Sequence, residues 1–487
     1  MSWIVFIPLL KTLNAPRIKP FNAPTEILLM TLQHPVRIEL RALLRLAGPL
    51  IASQLAHMLM VLTDTLMMAR LSPEALAGGS LGAASYSFVS IFCIGVIAAV
   101  GTLVSIRQGA GDIEGATRLT QAGLWLAWVL ALGGALMLWN IKPLLLLFGQ
   151  TPTNVEAAGQ FLLLLPFALP GYMTFMALRG FTSAMGRATP VMVISLIGTV
   201  ANFLLNYALI TGMFGLPKLG LMGIGLVTAI VATCMAAGLA WHIHRHPAYD
   251  AYPIRNGLSR INLTYLRELW RLGLPIGGTY AVEVGLFAFA ALCMGTMGST
   301  QLAAHQIALQ IVSAAFMVPA GLSYAITMRI GKHYGGGDLL RARLAGRVGI
   351  GCGALIMLGF SVVFWFWPSQ LIGLFLDYND PAFRPVFELA ISLLAVAAWF
   401  ELFDGVQTIA MGAIRGLKDA RTTFLVGLFC YWVIGAPMAW LLAFTLGWGP
   451  TGAWWGLALG LACASVSLTL AFEWKMRRML KRELKAS

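Results

Sequence analysis

Twelve runs of twenty or more mostly apolar residues, set apart by short charged or Pro/Gly-rich breaks, occupy most of this 487-residue chain. They fall at about 46–69, 76–105, 119–141, 158–178, 188–212, 220–243, 272–297, 301–328, 348–376, 385–413, 422–446 and 452–474. A bilayer core of about 30 Å takes about 20 apolar residues as a helix. Within lipid every backbone N–H and C=O needs an internal partner, so only helices and closed barrels cross it. Continuous runs of this length predict helices, and the chain reads as an all-α polytopic membrane protein with twelve transmembrane helices. Only 11% of its residues are charged, against about 25% in soluble domains. No soluble domain is left on which to build a nucleic-acid groove, so the net charge of +14 is a topology signal.

That signal is clean. Of the 33 lysines and arginines, 29 lie in the N-terminal segment, the even-numbered loops and the C-terminal segment, and the odd loops hold only Arg70, Lys142, Lys218 and Arg384. By the positive-inside rule both termini are cytoplasmic, and a cell inner membrane is the expected location. Residues 1–40, with Pro16, Pro20, Pro24 and Pro35, are expected to form a loose cytoplasmic extension, and Met30 is an alternative start. The apolar run Trp3–Leu10 lacks the basic flank and cleavage site of a signal peptide.

The chain also repeats itself. Adding 226 carries Arg45-Leu46 onto Arg271-Leu272, Pro49 onto Pro275, Leu76-Ala77 onto Leu302-Ala303, and Gly111-Asp112 onto Gly337-Asp338. Later the offset is 236, carrying Ala177, Arg179 and Gly180 onto Ala413, Arg415 and Gly416. Both halves hold six spans and enter from one side, so the repeats are parallel, an arrangement that commonly encloses a central cavity. The expected organisation is a six-helix lobe over 41–243, a basic linker over 244–271, a second six-helix lobe over 272–474 and a basic cytoplasmic tail over 475–487.

Four acids lie inside the apolar runs: Asp64, Glu283, Glu401 and Asp404. A carboxylate in hydrocarbon costs roughly 3 to over 10 kcal/mol and by default marks an ion or substrate pathway. Desolvation favours the neutral acid, so such a group is fitted to take up a proton. His57 lies two helical turns before Asp64 and Ser53 one turn earlier still, so all three share a face; the structural alternative is a buried His–Asp pair that only fixes packing. Glu283 falls opposite His57 under the 226-residue offset, so the halves differ at equivalent polar positions. Glu401 and Asp404, at i and i+3 with Gln407 and Thr408 beyond, repel each other if both ionise and call for a shared proton or a cation. H⁺, Na⁺ or a cationic substrate at Glu283, Asp404 and Glu401 follows, with Glu401 free to turn elsewhere. Ser195, Thr199, Asn202 and Asn206 form a polar stripe, and His305, Gln306, Gln310 and Ser313 another. Interhelical hydrogen bonding explains these as readily as substrate contact. Methionines 58, 60, 67 and 68 crowd Asp64, as a promiscuous surface or as plain apolar filler.

Some chemistries are missing. No GxxxxGK[ST] loop, HExxH or TVGYG occurs, so the sequence offers no P-loop ATP site, zinc-protease motif or potassium filter. The six cysteines lie within apolar runs and none forms CxxC, which predicts inert core thiols. No cofactor is expected, and energy for transport would come from an ion gradient.

With parallel six-span halves and acids in spans one, seven and ten, the chain resembles the multidrug and toxic compound extrusion (MATE) family in its bacterial NorM-like branch, over about residues 39–478. The resemblance rests on Asp64-Thr65, Leu272–Ile276 followed by Glu283, Ala304–Leu309, Phe403–Gln407, Arg415–Arg421, and Asn202 through Tyr207 followed by Phe214–Gly220. It implies a V-shaped pair of lobes that exports cationic amphipathic drugs and dyes, as a monomer, in exchange for Na⁺ or H⁺. It further implies a cation site at Glu283 and Asp404 and an essential acid at Asp64 near Asn202 and Asn206. This chain has Phe400 where relatives are expected to carry Tyr, with Glu401 beside it. Losing a hydroxyl oxygen disfavours Na⁺, which needs several, unless Glu401 replaces it; protons are the expected coupling ion. Two other readings remain: a flippase of related fold for a lipid-linked precursor, which would want cationic side chains in its cavity where no mid-span Lys or Arg is read here, and an integral membrane enzyme using His57 and Asp64.

Overall fold

The computed structural model describes residues 23–212, 218–258, 261–376, 380–381 and 383–486. Twelve helices there are long and apolar enough to cross a membrane. They are α1 (Ala23–Leu71), α2 (Pro73–Gly109), α3 (Ile113–Trp139), α4 (Pro152–Ala184), α5 (Thr189–Thr211), α6 (Gly220–Arg245), α7 (Leu263–Met297), α8 (Ser299–Gly335), α9 (Leu339–Phe366), α10 (Arg384–Gly416), α11 (Arg421–Thr445) and α12 (Gly449–Ala486). All twelve expected spans are present.

The helices run beyond the apolar stretches that announce them. Residues 23–40, expected to be a loose extension, belong to α1 instead; residues 1–22 lie outside the described residues. Pro35 and Pro49 both sit inside α1, so proline does not end this helix. The linker shortens to the stretch between Arg245 and Leu263, because α7 starts well before its apolar part, and the expected tail continues α12. Charged residues that end an apolar run are good helix formers, so hydropathy marks the lipid boundary rather than the helix end. The ninth run does break: Pro368 starts a separate short helix, Pro368–Ile372, after Trp367. In α11 Pro437 removes a backbone donor, and π-helical turns flank it at Phe429–Gly435 and Leu441–Thr445.

The duplication is visible in the packing. Within the first lobe α1 packs on α5, α2 on α3 and α4, α4 on α6, and α5 on α6; the second lobe repeats each pairing six helices later. Asp112 caps α3 by accepting from Gly115 N, and Asp338 caps α9 by accepting from Arg341 N. Each cap follows a left-handed glycine, Gly111 at φ +72° and Gly337 at φ +77°.

Between lobes α1 packs on α8 and α7 on α2, while α2 crosses its own counterpart α8. A Cβ at Gly109 would run into the carbonyl of Lys332, and one at Gly335 into that of Ile106. These four positions exchange under the 226-residue offset, so the crossing lies on the pseudo-twofold axis. Ion pairs flank it on both sides. Arg329 holds Glu39 through Nε (2.8 Å) with His333 beside it, and Arg107 reaches Glu268 (3.4 Å). The lobes are therefore closed against each other on the face that carries the basic loops.

Candidate functional site

In the first lobe the polar stripe of α5 meets the polar face of α1. Ser195 Oγ lies 2.8 Å from Ser53 Oγ, and Thr199 donates to the Ala56 carbonyl (2.9 Å). Further along, Asn206 Nδ2 (2.7 Å) and Asn202 Nδ2 (3.2 Å) both donate to Asp64 Oδ1, and the Thr228 hydroxyl of α6 lies 3.1 Å from Asp64 Oδ2. Both asparagines are fully buried, and their Oδ1 atoms have no partner. Ser195 and Thr199 thus tie helices together, whereas Asn202 and Asn206 converge on a carboxylate. Thr228 escaped sequence reasoning: a lone Thr in an apolar helix carries no periodic signal.

His57 takes a different partner. Its ring stacks on Tyr172 of α4 (centroids 5.1 Å apart), with Nε2 3.3 Å from the Tyr172 hydroxyl. The alternative of a His57–Asp64 pair is not what forms. Met67 and Met68 are buried, Met68 against Gly79. Both therefore serve as core packing.

The second lobe builds a different site. Asp404, 2% exposed, accepts from Gln407 Nε2 (2.8 Å), and Gln407 Oε1 accepts from the Tyr431 hydroxyl of α11 (2.6 Å). Glu401 is fully buried one turn back, and neither of its carboxyl oxygens has a partner. Asp404 lies within electrostatic reach of Glu401 and of Glu283 on α7. Phe400 packs edge-on against Phe287 and lies against Trp454, which donates to His305 Nδ1 (3.1 Å). His305 therefore carries its proton on Nε2 and belongs to an aromatic cluster rather than to a pathway. Among the described residues no three of His, Cys, Asp and Glu gather as a metal-ligand group. Tyr431 was also invisible in sequence, one tyrosine in an apolar run 24 residues from its partner.

A chain of paired polar groups links the two lobes. Arg179 of α4 donates to Gln54 (2.7 Å) and stacks over the ring of Tyr324 in the other lobe (4.8 Å). Arg415 of α10 donates to Tyr280 (2.8 Å) and to Ser323 (3.1 Å), and the Tyr280 and Tyr324 hydroxyls meet. Gln54 and Tyr280 are related by the 226-residue offset, so the two arginines occupy equivalent places. No Lys or Arg is expected in mid-span, and both arginines stand near helix ends, Arg179 five residues before the end of α4 and Arg415 one residue before the end of α10. Arg179 and Arg415 are 5% and 6% exposed, inside helices whose apolar runs end just before them.

The MatE family pattern matches residues 49–208 and 275–441. A probable multidrug resistance protein NorM of Pseudomonas putida is 75% identical over 91% of this chain and 96% of its own length. The Pseudomonas aeruginosa protein of the same description is 63% identical over 92% of this chain and 91% of its own. Solved structures of similar fold include the eukaryotic MATE transporter AtDTX14 (TM-score 0.81, 22% identity, covering 92% of this chain and 99% of that one). A Vibrio cholerae MATE transporter, VcmN, matches with TM-score 0.83 at 17% identity, covering 91% and 98%. The motif Phe214–Gly220 cannot be compared, since residues 213–217 lie outside the described residues.

Proposed function

This chain belongs to the MatE family, and on that premise we propose that it is a secondary multidrug efflux antiporter of the cell inner membrane, with both termini cytoplasmic, exporting cationic amphipathic compounds in exchange for protons. The observation that carries the exchange is Glu401, buried with both oxygens unpartnered beside the buried Asp404. Two carboxylates so placed cannot both stay charged and bare, since an unpaired buried charge costs several kcal/mol. A proton, a Na⁺ ion or a cationic cargo offsets that cost, and these exclude one another. Loading at Glu283, Asp404 and Glu401 with the coupling ion therefore favours release of the cargo. In the other lobe Asp64, held by Asn202, Asn206 and Thr228, meets the positive charge of the cargo, with His57 and Tyr172 along the same wall. Alternating access requires the α2–α8 crossing and its flanking ion pairs to part.

Efflux of a fluorescent cationic dye from proteoliposomes, under an imposed pH gradient and separately a Na⁺ gradient, tests this. Movement driven by pH alone is expected, and lost in Glu283→Gln, Asp404→Asn and Asp64→Asn variants that still insert. A strict need for Na⁺ would replace the proton with a metal cage. No response to either gradient by folded protein would overturn antiport. It would favour the flippase reading, which the buried Arg179 and Arg415 support by offering positive charge to an anionic cargo.

A further inference from the structure

On the face of the basic loops a cavity of about 730 Å³ opens between the start of α7 and the α10–α11 turn, apart from both carboxylate sites. Arg267, Arg271, Lys418 and Arg421 line it, against Glu268 and Asp419 only. Both acids are already engaged. Glu268 meets Lys418 (2.5 Å) and Arg107 (3.4 Å), and Asp419 holds Lys475 and Thr422. Among the described residues Arg267, Arg271 and Arg421 have no ion pair, and all three are exposed. Three guanidinium groups are thus gathered at one concave site with no counter-charge of their own.

The turn supplies a second observation. Lys418 has φ +61° and is the one non-glycine residue with positive φ among those described. The corresponding turn of the first lobe puts Gly186 at φ +77° three residues before the start of α5, as Lys418 stands three residues before α11. A left-handed position that glycine fills without strain has been given to a lysine, whose ammonium holds Glu268 in the cavity wall and so leaves the arginines unpaired. Strain of this kind is kept where the side chain has work to do. The cavity wall is apolar at Leu263 and Leu272, and Leu263, Trp270 and Leu274 stand exposed on the outer surface of α7.

We propose that this cavity binds the phosphate of an anionic phospholipid, Arg267, Arg271 and Arg421 gripping the headgroup while the acyl chains lie along the exposed apolar flank of α7. Arginine suits this role, because its planar fork grips phosphate oxygens bidentately, and basic pockets between transmembrane helices take such headgroups. The site adjoins the Glu268–Arg107 contact between lobes, so an occupant bears on the closed face.

The test uses the full chain purified in a neutral detergent. Native mass spectrometry counts retained phosphatidylglycerol or phosphatidylcholine, and inorganic phosphate is added as competitor. The expected result is retention of phosphatidylglycerol over phosphatidylcholine, falling about fivefold for each arginine removed in Arg267→Gln, Arg271→Gln and Arg421→Gln. Arg482→Gln in the C-terminal part of α12 should leave it unchanged. Unaltered phosphatidylglycerol retention in the three variants would overturn the proposal, as would equal retention of both lipids. Displacement by millimolar inorganic phosphate would reassign the cavity to free phosphate. Should the combined variant fail to fold, Arg421→Gln alone carries the comparison.

Discussion

Replacing Asp64 separates its charge from its packing. In Asp64→Asn the new Oδ1 can still accept from Asn202 and Asn206. Its amide can donate to Thr228 Oγ1, whose own proton already has the Ile224 carbonyl within 3.0 Å. Every partner stays satisfied while the charge disappears. In Asp64→Ala the Nδ2 groups of two fully buried asparagines lose their acceptor. Each orphaned donor costs about 1–3 kcal/mol. Hydrogen bonds inside membrane proteins sit low in such ranges, so the loss is about 2 kcal/mol in all. The expected pattern is that Asp64→Asn melts close to the parent yet fails to export dye. Asp64→Ala fails to export and also melts lower, and adding Asn202→Leu and Asn206→Leu recovers part of the loss by removing the orphans. Thermal melting in detergent and proteoliposome efflux read the two effects independently. Equal destabilisation by Asn and Ala would refute the cage, and full efflux by Asp64→Asn would refute the need for the charge.

Tyr431→Phe should leave Gln407 Oε1 without its donor and loosen its hold on Asp404; efflux is expected to keep its maximum rate but shift in pH dependence, measured as rate against pH. Gly335→Val sets a side chain against the Ile106 carbonyl and is expected to wedge the lobes apart on the basic face at a cost of about 1–3 kcal/mol, read as faster labelling of a cysteine placed at that crossing. Glu39→Gln leaves Arg329, 20% exposed, without its charge partner. The loss should be about 3 kcal/mol, the low end for breaking a buried pair, seen as a lower melting midpoint that salt does not restore. Asp419 is affected first by partial burial, which raises its pKa, but its bonds to Lys475 and Thr422 win and hold it below the ordinary aspartate range. A depressed folded pKa means stability that is present above the unfolded value and lost as pH falls. Acidification below about pH 4 should therefore lower the melting midpoint less in Asp419→Asn than in the parent.

Hydropathy exposed what is repetitive and hid what is singular. All twelve spans were legible because a bilayer demands a long apolar stretch each time, and the duplication because Gly111 and Gly337 make the same left-handed turn before the same capping aspartate. Helix ends were not legible to the residue: Arg179 stops an apolar run without stopping the helix, and Arg415 falls just inside a helix end, so two buried cations were read as loop residues. Of the candidate site, Asp64, Asn202 and Asn206 were found and do meet, since a polar stripe at helical spacing survives as a face. Thr228, Tyr172 and Tyr431 were not, because each is a single polar group whose partner comes from another helix.

The repeated scaffold also explains why the chemistry is divided. Asp64 falls on Ala290 under the 226-residue offset, Glu283 on His57, and Asp404 on Ala168 under the 236-residue offset. None of these buried acids is matched by an acid, whereas the glycines of the crossing, the helix caps and the two arginines are matched throughout. Symmetry has been kept where the lobes must pack and pivot on each other. It has been lost where the buried acids stand. A symmetric pair of sites would load and unload together, giving one lobe no means of answering the other. With Asp64 fully hydrogen-bonded in one lobe and Glu401 bare in the other, the two carboxylate sites differ in what they still require, as the proposed exchange of a cargo for a coupling ion would need.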